Sequence, residues 1–331
     1  MVRLVDVAKA ANVSVATVSR TLNGHLSVDA ALAARVRAAA TELGYRPNVV
    51  ARNLRRRGTT VWALVLTDIT NPFYTALARG VEDVASRNGY SVLLGNSDED
   101  AAKERRYLAA ALEEQVAGIV LASRYADTDL SAALGAETPV VAVNQRLQAP
   151  VDSVVADSYG GARRATEHLI GHGRRVIACI TGPADADTAQ VRAAGHRDAM
   201  ADHGLPPLIQ HTTYDAAGGL AATGELLDSG SGIDAIFAAN ATIALGVVEA
   251  LQERRVRLGT DVAMVCFDDA PWARIVDPPM TVVAQQPYEI GTEAAKLLLG
   301  RIRAEGPSMP VSLQLTTQLI TRRSCGCPGS D

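Results

Sequence analysis

The sequence predicts a small all-α head built on a helix-turn-helix, followed by an α/β body of two halves, each a mainly parallel sheet. Three observations carry this. Residues 4–23, LVDVAKAANVSVATVSRTLN, hold two short helical patterns around a tight turn. Basic residues crowd into the first sixty positions. From Val61 onward, short apolar runs alternate with helical stretches, which is the pattern of a βαβ series.

In the head, Leu4, Val7 and Ala8 recur at helical spacing. Ser14 is placed to cap a second helix carrying Val15, Val18, Ser19 and Leu22, and Asn23-Gly24 stops it. A helix-turn-helix puts its second helix in the DNA major groove, although an ordinary pair of surface helices has the same spacing. Asp29 is a good cap for a third helix, whose expected apolar stripe is Leu32, Val36, Ala39, Ala40 and Leu43. Pro47 breaks any continuation, and Asn48 can cap the next segment, VVARNLRRR at 49–57. That segment is too short for a stable isolated helix, and its arginines repel one another. DNA phosphate and a second copy of the chain would order it. Leu54, apolar among arginines, can wedge between base steps from the minor groove. A flexible basic linker accounts for the same residues.

Net charge is −4, which alone argues against a nucleic-acid partner. The distribution reverses the argument. Residues 1–60 hold ten basic groups against Asp6, Asp29 and Glu42, a net of +7, so the rest carries −11. A basic head on an acidic body fits a head that touches phosphates. Met1-Val2-Arg3 leads into the first helix without an apolar leader, and no apolar run approaches membrane-spanning length. A reduced, cytoplasmic location is expected. Cys179 and Cys266 lie in apolar runs and read as buried thiols. Cys325 and Cys327 form a C-x-C with no second pair at matching spacing, so a detail of the tail is expected and no metal. His168 and His172 have a zinc-like spacing, but no acidic residue stands at the expected place between them; solvated or capping histidines are expected. Gly218-Gly219 with Gly224 has the wrong spacing for a dinucleotide fingerprint, and there is no Walker motif or nucleophile elbow. Neither a cofactor nor an enzyme is expected.

In the body, strands are expected at 61–67, 91–95, 118–122, 139–143, 176–180, 235–238 and 262–267. Helices are expected at 72–88, 101–114, 159–171, 191–203, 216–228 and 241–254. This length exceeds one simple sheet, and open α/β sheets bind ligands at the carboxyl ends of their strands. Polar groups stand at those ends: Asp68, with Asn71, Phe73 and Tyr74 just beyond; Asn144; Asn240; and Asp268-Asp269. Carboxylates and amides beside aromatic faces suit a sugar-like ligand, although each could instead cap a helix.

These residues carry a resemblance. Residues 3–57 resemble the DNA-binding head of the LacI/GalR family of bacterial repressors through VATVSRTLN (15–23), LGYRPN (43–48) and ARNL (51–54). The body resembles the family's periplasmic-binding-protein-like effector domain. Its markers are TDITNPF (67–73), ITGP (180–183), Arg192 with Gly195, FAAN (237–240), FDD (267–269) and PPMT (278–281). The resemblance implies a head at 1–46, a hinge at 47–59 and an effector domain at 60–331. The N-half of that domain is 60–158 with 288–315, and the C-half is 159–287 with 316–331. It implies that Val15, Ala16 and Arg20 face base edges, while Thr17, Ser19, Asn23 and Tyr45 position the head on phosphates. It places Ala51, Arg52, Leu54 and Arg55 on a hinge helix in the minor groove, with Leu54 intercalated. The chemistry agrees, since Arg20 can pair with guanine and Val15 and Ala16 can meet a thymine methyl. Implied effector contacts are Phe73, Tyr74, Asn144, Thr188, Arg192, Tyr214, Asn240 and Asp268, with Arg192 paired to Asp268 across the cleft. Leu32 departs from the polar phosphate contact that relatives often have in the head, so that contact is expected to be missing, while Ala186, Ala241 and Gln145 depart from residues found in relatives' effector sites and weigh against a purine-like effector.

The expected protein is a dimeric repressor of a near-palindromic operator that answers to a small sugar or polyol, with no membrane partner. A sugar-binding transport protein has no use for the head, and a dual activator and repressor has the same sequence features. The tail lacks apolar heptads, so a dimer is the simplest state. The effector acts only through its differential affinity for two conformations.

Overall fold

The structure, a computed structural model, describes residues 2–22, 28–45 and 59–327. The chain forms two compact units that divide between Thr59 and Thr60.

In the first unit, helices α1 (Leu4–Ala10), α2 (Val15–Leu22) and α3 (Ala30–Glu42) share one small core of Val7, Ala8, Ala11, Val18, Val36, Ala39 and Ala40. Asn12 takes the left-handed conformation in the turn, and Ser14 Oγ accepts the Thr17 amide at 3.1 Å as the start of α2. Asp29 caps α3 by accepting the amides of Ala31 and Leu32. The stripe of α3 is shifted from expectation. Ala33 is buried, Leu32 half-buried and Leu43 exposed. Leu43 is the C-cap, where the helical face ends. Arg35 reaches back to the Ala11 carbonyl at 2.7 Å and braces the turn.

The second unit holds two six-stranded sheets. Its elements in order are β1 (Val61–Leu66), α4 (Pro72–Arg87), β2 (Ser91–Asn96), α5 (Ala101–Glu113), β3 (Gly118–Leu121), α6 (Ser131–Gly135), β4 (Val140–Val143) and β5 (Asp152–Ala156). Then come α7 (Ser158–Gly171), β6 (Ile177–Thr181), α8 (Asp187–Asp202), β7 (Leu208–His211), α9 (Ala216–Asp228), β8 (Ala235–Ala238), α10 (Ala241–Glu253) and β9 (Ala263–Phe267). A 3-10 turn (Pro271–Arg274), β10 (Thr281–Ala284), α11 (Pro287–Ile302), β11 (Ser312–Leu315) and β12 (Gln318–Ile320) complete it.

The first sheet has the order β11-β5-β4-β3-β1-β2 and is parallel throughout. The second has the order β12-β10-β9-β8-β6-β7, with only β12 antiparallel. The chain therefore crosses between sheets three times: after β5, after β10 and after β11. Strands such as β3, β4 and β8 are buried on both faces, which is why they read as unbroken apolar runs.

In the first sheet, Trp62, Leu64 and Leu66 pack under α4 and α11, and Ala63 and Val65 face α5. Glycine lets α4 and α11 touch. A Cβ on Gly80 would collide with the Tyr288 carbonyl, and one on Gly291 with that of Leu77. Trp62 is fully buried and stacks on Tyr90 with ring centroids 4.9 Å apart, whereas Trp272, in the 3-10 turn beside the second sheet, is half-exposed. In the second sheet, α9 and α10 cover Ile236 and Met264, and α7 and α8 cover Phe237 and Phe267. Among the described residues no helix is long and apolar enough to cross a membrane.

Candidate functional site

On the head, packing fixes which face of α2 is presented. Val18 is fully buried, so Val15, Ala16 and Arg20 fall on the exposed side together with Ser14. Thr17 and Ser19 are half-buried at its edges. Val15 is 42% exposed, an apolar side chain left uncovered at the start of a helix. Tyr45 packs against the head core. Asn23, Asn48, Ala51, Arg52, Leu54 and Arg55 lie outside the described residues.

In the body, a cleft opens between the two sheets at the carboxyl ends of their strands. All ten residues anticipated there line it: Asp68, Asn71, Phe73, Tyr74, Asn144, Thr188, Arg192, Tyr214, Asn240 and Asp268. The capping roles are real as well. Asp68 holds Thr70 through its amide at 2.8 Å and its hydroxyl at 2.7 Å. Asn71 caps α4 through the Phe73 amide, and Asn240 caps α10 through the Ile243 amide at 2.7 Å. In each asparagine the carbonyl oxygen caps and leaves the amide NH₂ over, so capping and lining are compatible.

Phe73 and Tyr74 meet edge to face with centroids 5.0 Å apart. Asn144 adopts a left-handed backbone and donates to the Tyr74 hydroxyl at 3.1 Å. On the other wall, the hydroxyls of Thr188 and Tyr214 are 2.8 Å apart. Burial pushes both tyrosine hydroxyls up, so they stay protonated.

The expected Arg192–Asp268 ion pair is not formed, and the two do not face each other across the cleft. Both stand on the second-sheet wall, Arg192 on α8 and Asp268 just after β9. Arg192 donates to the Ala239 carbonyl at 2.6 Å and to Ser158 Oγ at 3.4 Å, and its guanidinium lies 3.8 Å over the Phe267 ring. Asp268 accepts from Gln285 Nε2 at 2.5 Å. Burial holds its carboxyl above the usual range, and the nearby Arg192 charge only partly offsets this.

Seven further residues line the cleft: Thr67, Glu99, Ser123, Arg124, Gln145, Ala186 and Gln285. Sequence reasoning did not select Glu99 and Arg124, although both follow strand ends (β2 and β3) and the rule that found Asp68 would have found them. Arg124 joins the two walls. Its Nη2 bonds Asp185 at 2.5 Å on the second-sheet side, and its Nη1 is 3.7 Å from Glu99 on its own side. Arg124 Nε, Gln145 Nε2 and Gln285 Oε1 are buried and lack a hydrogen-bond partner among the described residues.

Comparison with known proteins decides the family. Residues 3–48 match the model for bacterial regulatory proteins of the lacI family, and residues 59–323 match that for periplasmic binding proteins and the sugar binding domain of the LacI family. The chain belongs to the LacI family of bacterial regulatory proteins. This LacI-family regulator is 36% identical over 326 residues to the ribose operon repressor of Bacillus subtilis (strain 168), with 98% of each chain covered. It is similar to the solved transcriptional regulator CelR in complex with cellobiose, at 34% identity and a TM-score of 0.75, covering 98% of this chain and 100% of that one. It is also similar to the lac repressor dimer bound to operator and the anti-inducer ONPF, at 26% identity and a TM-score of 0.87, covering 98% and 99%. The all-α head and the two-sheet α/β body are thus the family's fold, and the regulator binds DNA through its helix-turn-helix.

Proposed function

We propose that this regulator is a cytoplasmic repressor that binds a near-palindromic operator as a homodimer and answers to a monosaccharide, a pentose of the ribose type first among them. The observation that carries the sugar reading is the set of orphaned buried polar atoms on cleft residues: Arg124 Nε, Gln145 Nε2 and Gln285 Oε1. Leaving such atoms unpaired costs about 1–3 kcal/mol each. A sugar offers hydroxyls that both donate and accept, so one ring answers donors and acceptors alike. Phe73 and Tyr74 supply an apolar face for the ring, while Arg192, Asp268, Asn144 and Asn240 take its hydroxyls. The B. subtilis relative is named for ribose, and the CelR neighbour holds the larger cellobiose. The Arg124–Asp185 bond across the cleft favours the smaller sugar.

On the head, Val15, Ala16 and Arg20 read base edges, Ser14 caps the reading helix, and Thr17, Ser19, Asn23 and Tyr45 hold phosphates. Asn48, Ala51, Arg52, Leu54 and Arg55 form the minor-groove hinge, with Leu54 as the wedge. Effector binding shifts the population between two arrangements of the body, and this shift changes operator affinity. No residue is assigned a catalytic role.

The test is a footprint of the full-length protein on the DNA upstream of its own gene, with a salt titration and with ribose, other pentoses, hexoses and cellobiose added in turn. A symmetric protected site whose occupancy changes with a pentose is the expected result. A response to cellobiose alone would transfer the cleft to a disaccharide, and no protected site at low salt would overturn the repressor reading.

A further inference from the structure

The end of α7 and the segment after β12 bring together four side chains that the functions above leave unused. His168 and His172 sit one helical turn apart with ring centroids 4.4 Å from each other. A ring nitrogen of His168 and the sulfurs of Cys325 and Cys327 lie within 4.8 Å of one another. Cys327 Sγ is 3.6 Å from His168 Nε2 and 3.0 Å from His172 Nε2. Ligand atoms around a tetrahedral zinc ion with two sulfurs and two nitrogens stand roughly 3.3–3.8 Å apart, as follows from its bond lengths. The sequence reading expects solvated or capping histidines, and His172 is indeed the exposed C-cap of α7; it stands outside the close group of three and approaches it through Cys327. His168 is half-buried, Cys325 is fully buried, and the two motifs, read separately, share one place.

The surroundings prepare these groups. His172 Nδ1 is 2.8 Å from the His168 carbonyl, which can only accept, so Nδ1 carries the proton and Nε2 presents its lone pair toward Cys327. Gly326 has φ +82°, and a Cβ there would stand 2.8 Å from the Gly259 carbonyl oxygen. Glycine is thus what lets the chain turn both sulfurs to one side. Ser324 anchors the loop. Its Oγ accepts the Thr281 amide and donates to the Met264 carbonyl, each at 2.7 Å, and its carbonyl accepts the Met264 amide at 2.8 Å.

We propose that His168, His172, Cys325 and Cys327 bind one zinc ion as a closed, structural site. On binding, each cysteine releases its thiol proton to solvent as its S–Zn bond forms, and each imidazole donates a ring lone pair. Two thiolates and two imidazoles select zinc over magnesium or calcium, which take oxygen ligands. The ion pins the C-terminal segment to α7 at the end of the second sheet opposite the cleft. Ser158 touches Arg192 at the other end of this helix, and His168 lies about 15 Å further along its axis. The site therefore stiffens the second half without touching the effector.

The test uses the full-length chain, expressed without a polyhistidine tag and purified without chelator. Elemental analysis should find one zinc per chain, lost in the Cys325→Ser/Cys327→Ser double variant. Replacement by cobalt in the native chain should give a thiolate-to-cobalt charge-transfer band and intense tetrahedral bands in the visible, a readout that needs no variant to fold. Chelator should lower the melting temperature of the native chain by several degrees and leave that of a Cys327→Ser variant, altered at a half-exposed ligand, nearly unchanged. A reduced native chain that takes up neither zinc nor cobalt, or a double variant that holds zinc as well as the native chain, would overturn the assignment.

Discussion

Arg192 is almost fully buried, yet its charge is neutralised by no direct carboxylate contact. It relies on a carbonyl, a hydroxyl and the face of Phe267, while Asp268 sits close enough to be lowered by its charge and still remains raised by burial. That arrangement leaves both groups able to take a ligand hydroxyl. Asp268→Ala should abolish the sugar response and leave operator affinity within about twofold of wild type, measured by gel shift with and without sugar; a variant that still responds normally would move the site elsewhere. His196 gives a second prediction at this scale. The Thr166 hydroxyl donates to the Ala162 carbonyl at 3.0 Å, so it accepts from His196 Nδ1 at 3.0 Å, and Nε2 is left buried without a partner. Burial lowers this histidine to about 4. Its folded value lies below its unfolded one, so protonation favours the unfolded chain. The stability it confers is complete above pH 6.5 and is lost as pH falls toward 4, by about 3 kcal/mol in all. Asp268, Glu99 and Glu104 run the other way, because burial raises their carboxyls and acid relieves that cost. The measurement is therefore a difference: His196→Gln should lose less stability than wild type between pH 6.5 and 4.5 in urea titrations, with the carboxylates common to both.

Elements were legible where periodicity was strong. The helices of the head, the apolar strands and the cap residues Ser14, Asp29, Asn71 and Asn240 all follow from local pattern. Strands β5, β7, β10, β11 and β12 and helices α6 and α11 are not among the expected elements. Of these, β11 (SLQL) and β12 (QLI) are four and three residues long, lie at or near sheet edges, and become strands only through β5 and β10. Strand β5 opens on Asp152 and Ser153, a polar start that breaks its apolar run. The same residue is the sheet's buried anchor. Asp152 takes a two-pronged bond from Arg301 of α11, both prongs 2.7 Å, and the Val311 amide at 2.7 Å just before β11. Asp152→Ala would leave the Arg301 guanidinium without its counter-charge and should cost about 3–5 kcal/mol in chemical denaturation. Asp152→Ala/Arg301→Met should recover a large part of that loss. The cleft was readable because strand ends are fixed by the same apolar pattern that fixes the strands. Contacts between distant segments were not, since nothing local in 322–327 records that it returns to α7.

At the scale of the whole effector domain, the two sheets are joined by three crossings and by one ion pair at the cleft, Arg124 to Asp185. Asp185 is 62% exposed, so the bond is a surface-grade one worth up to about 1 kcal/mol. That is small enough for a ligand to outweigh and large enough to bias the open and closed populations. Arg124→Ala should weaken sugar binding about three- to fivefold by calorimetry, and Asp185→Asn should do the same. A strengthening by either change would show that the pair holds the cleft shut against the ligand.

Trp62 and Trp272 are the chain's two tryptophans, and each belongs to a different half of the domain. The molecule therefore carries two optical reporters. Trp62, sealed against Tyr90, should emit at the blue edge and stay silent when sugar enters. Trp272, half-open to water and a few residues beyond Asp268, should shift in colour and in accessibility to iodide. Exchanging each for phenylalanine in turn would allow the movement of one half to be followed in real time in the unlabelled protein.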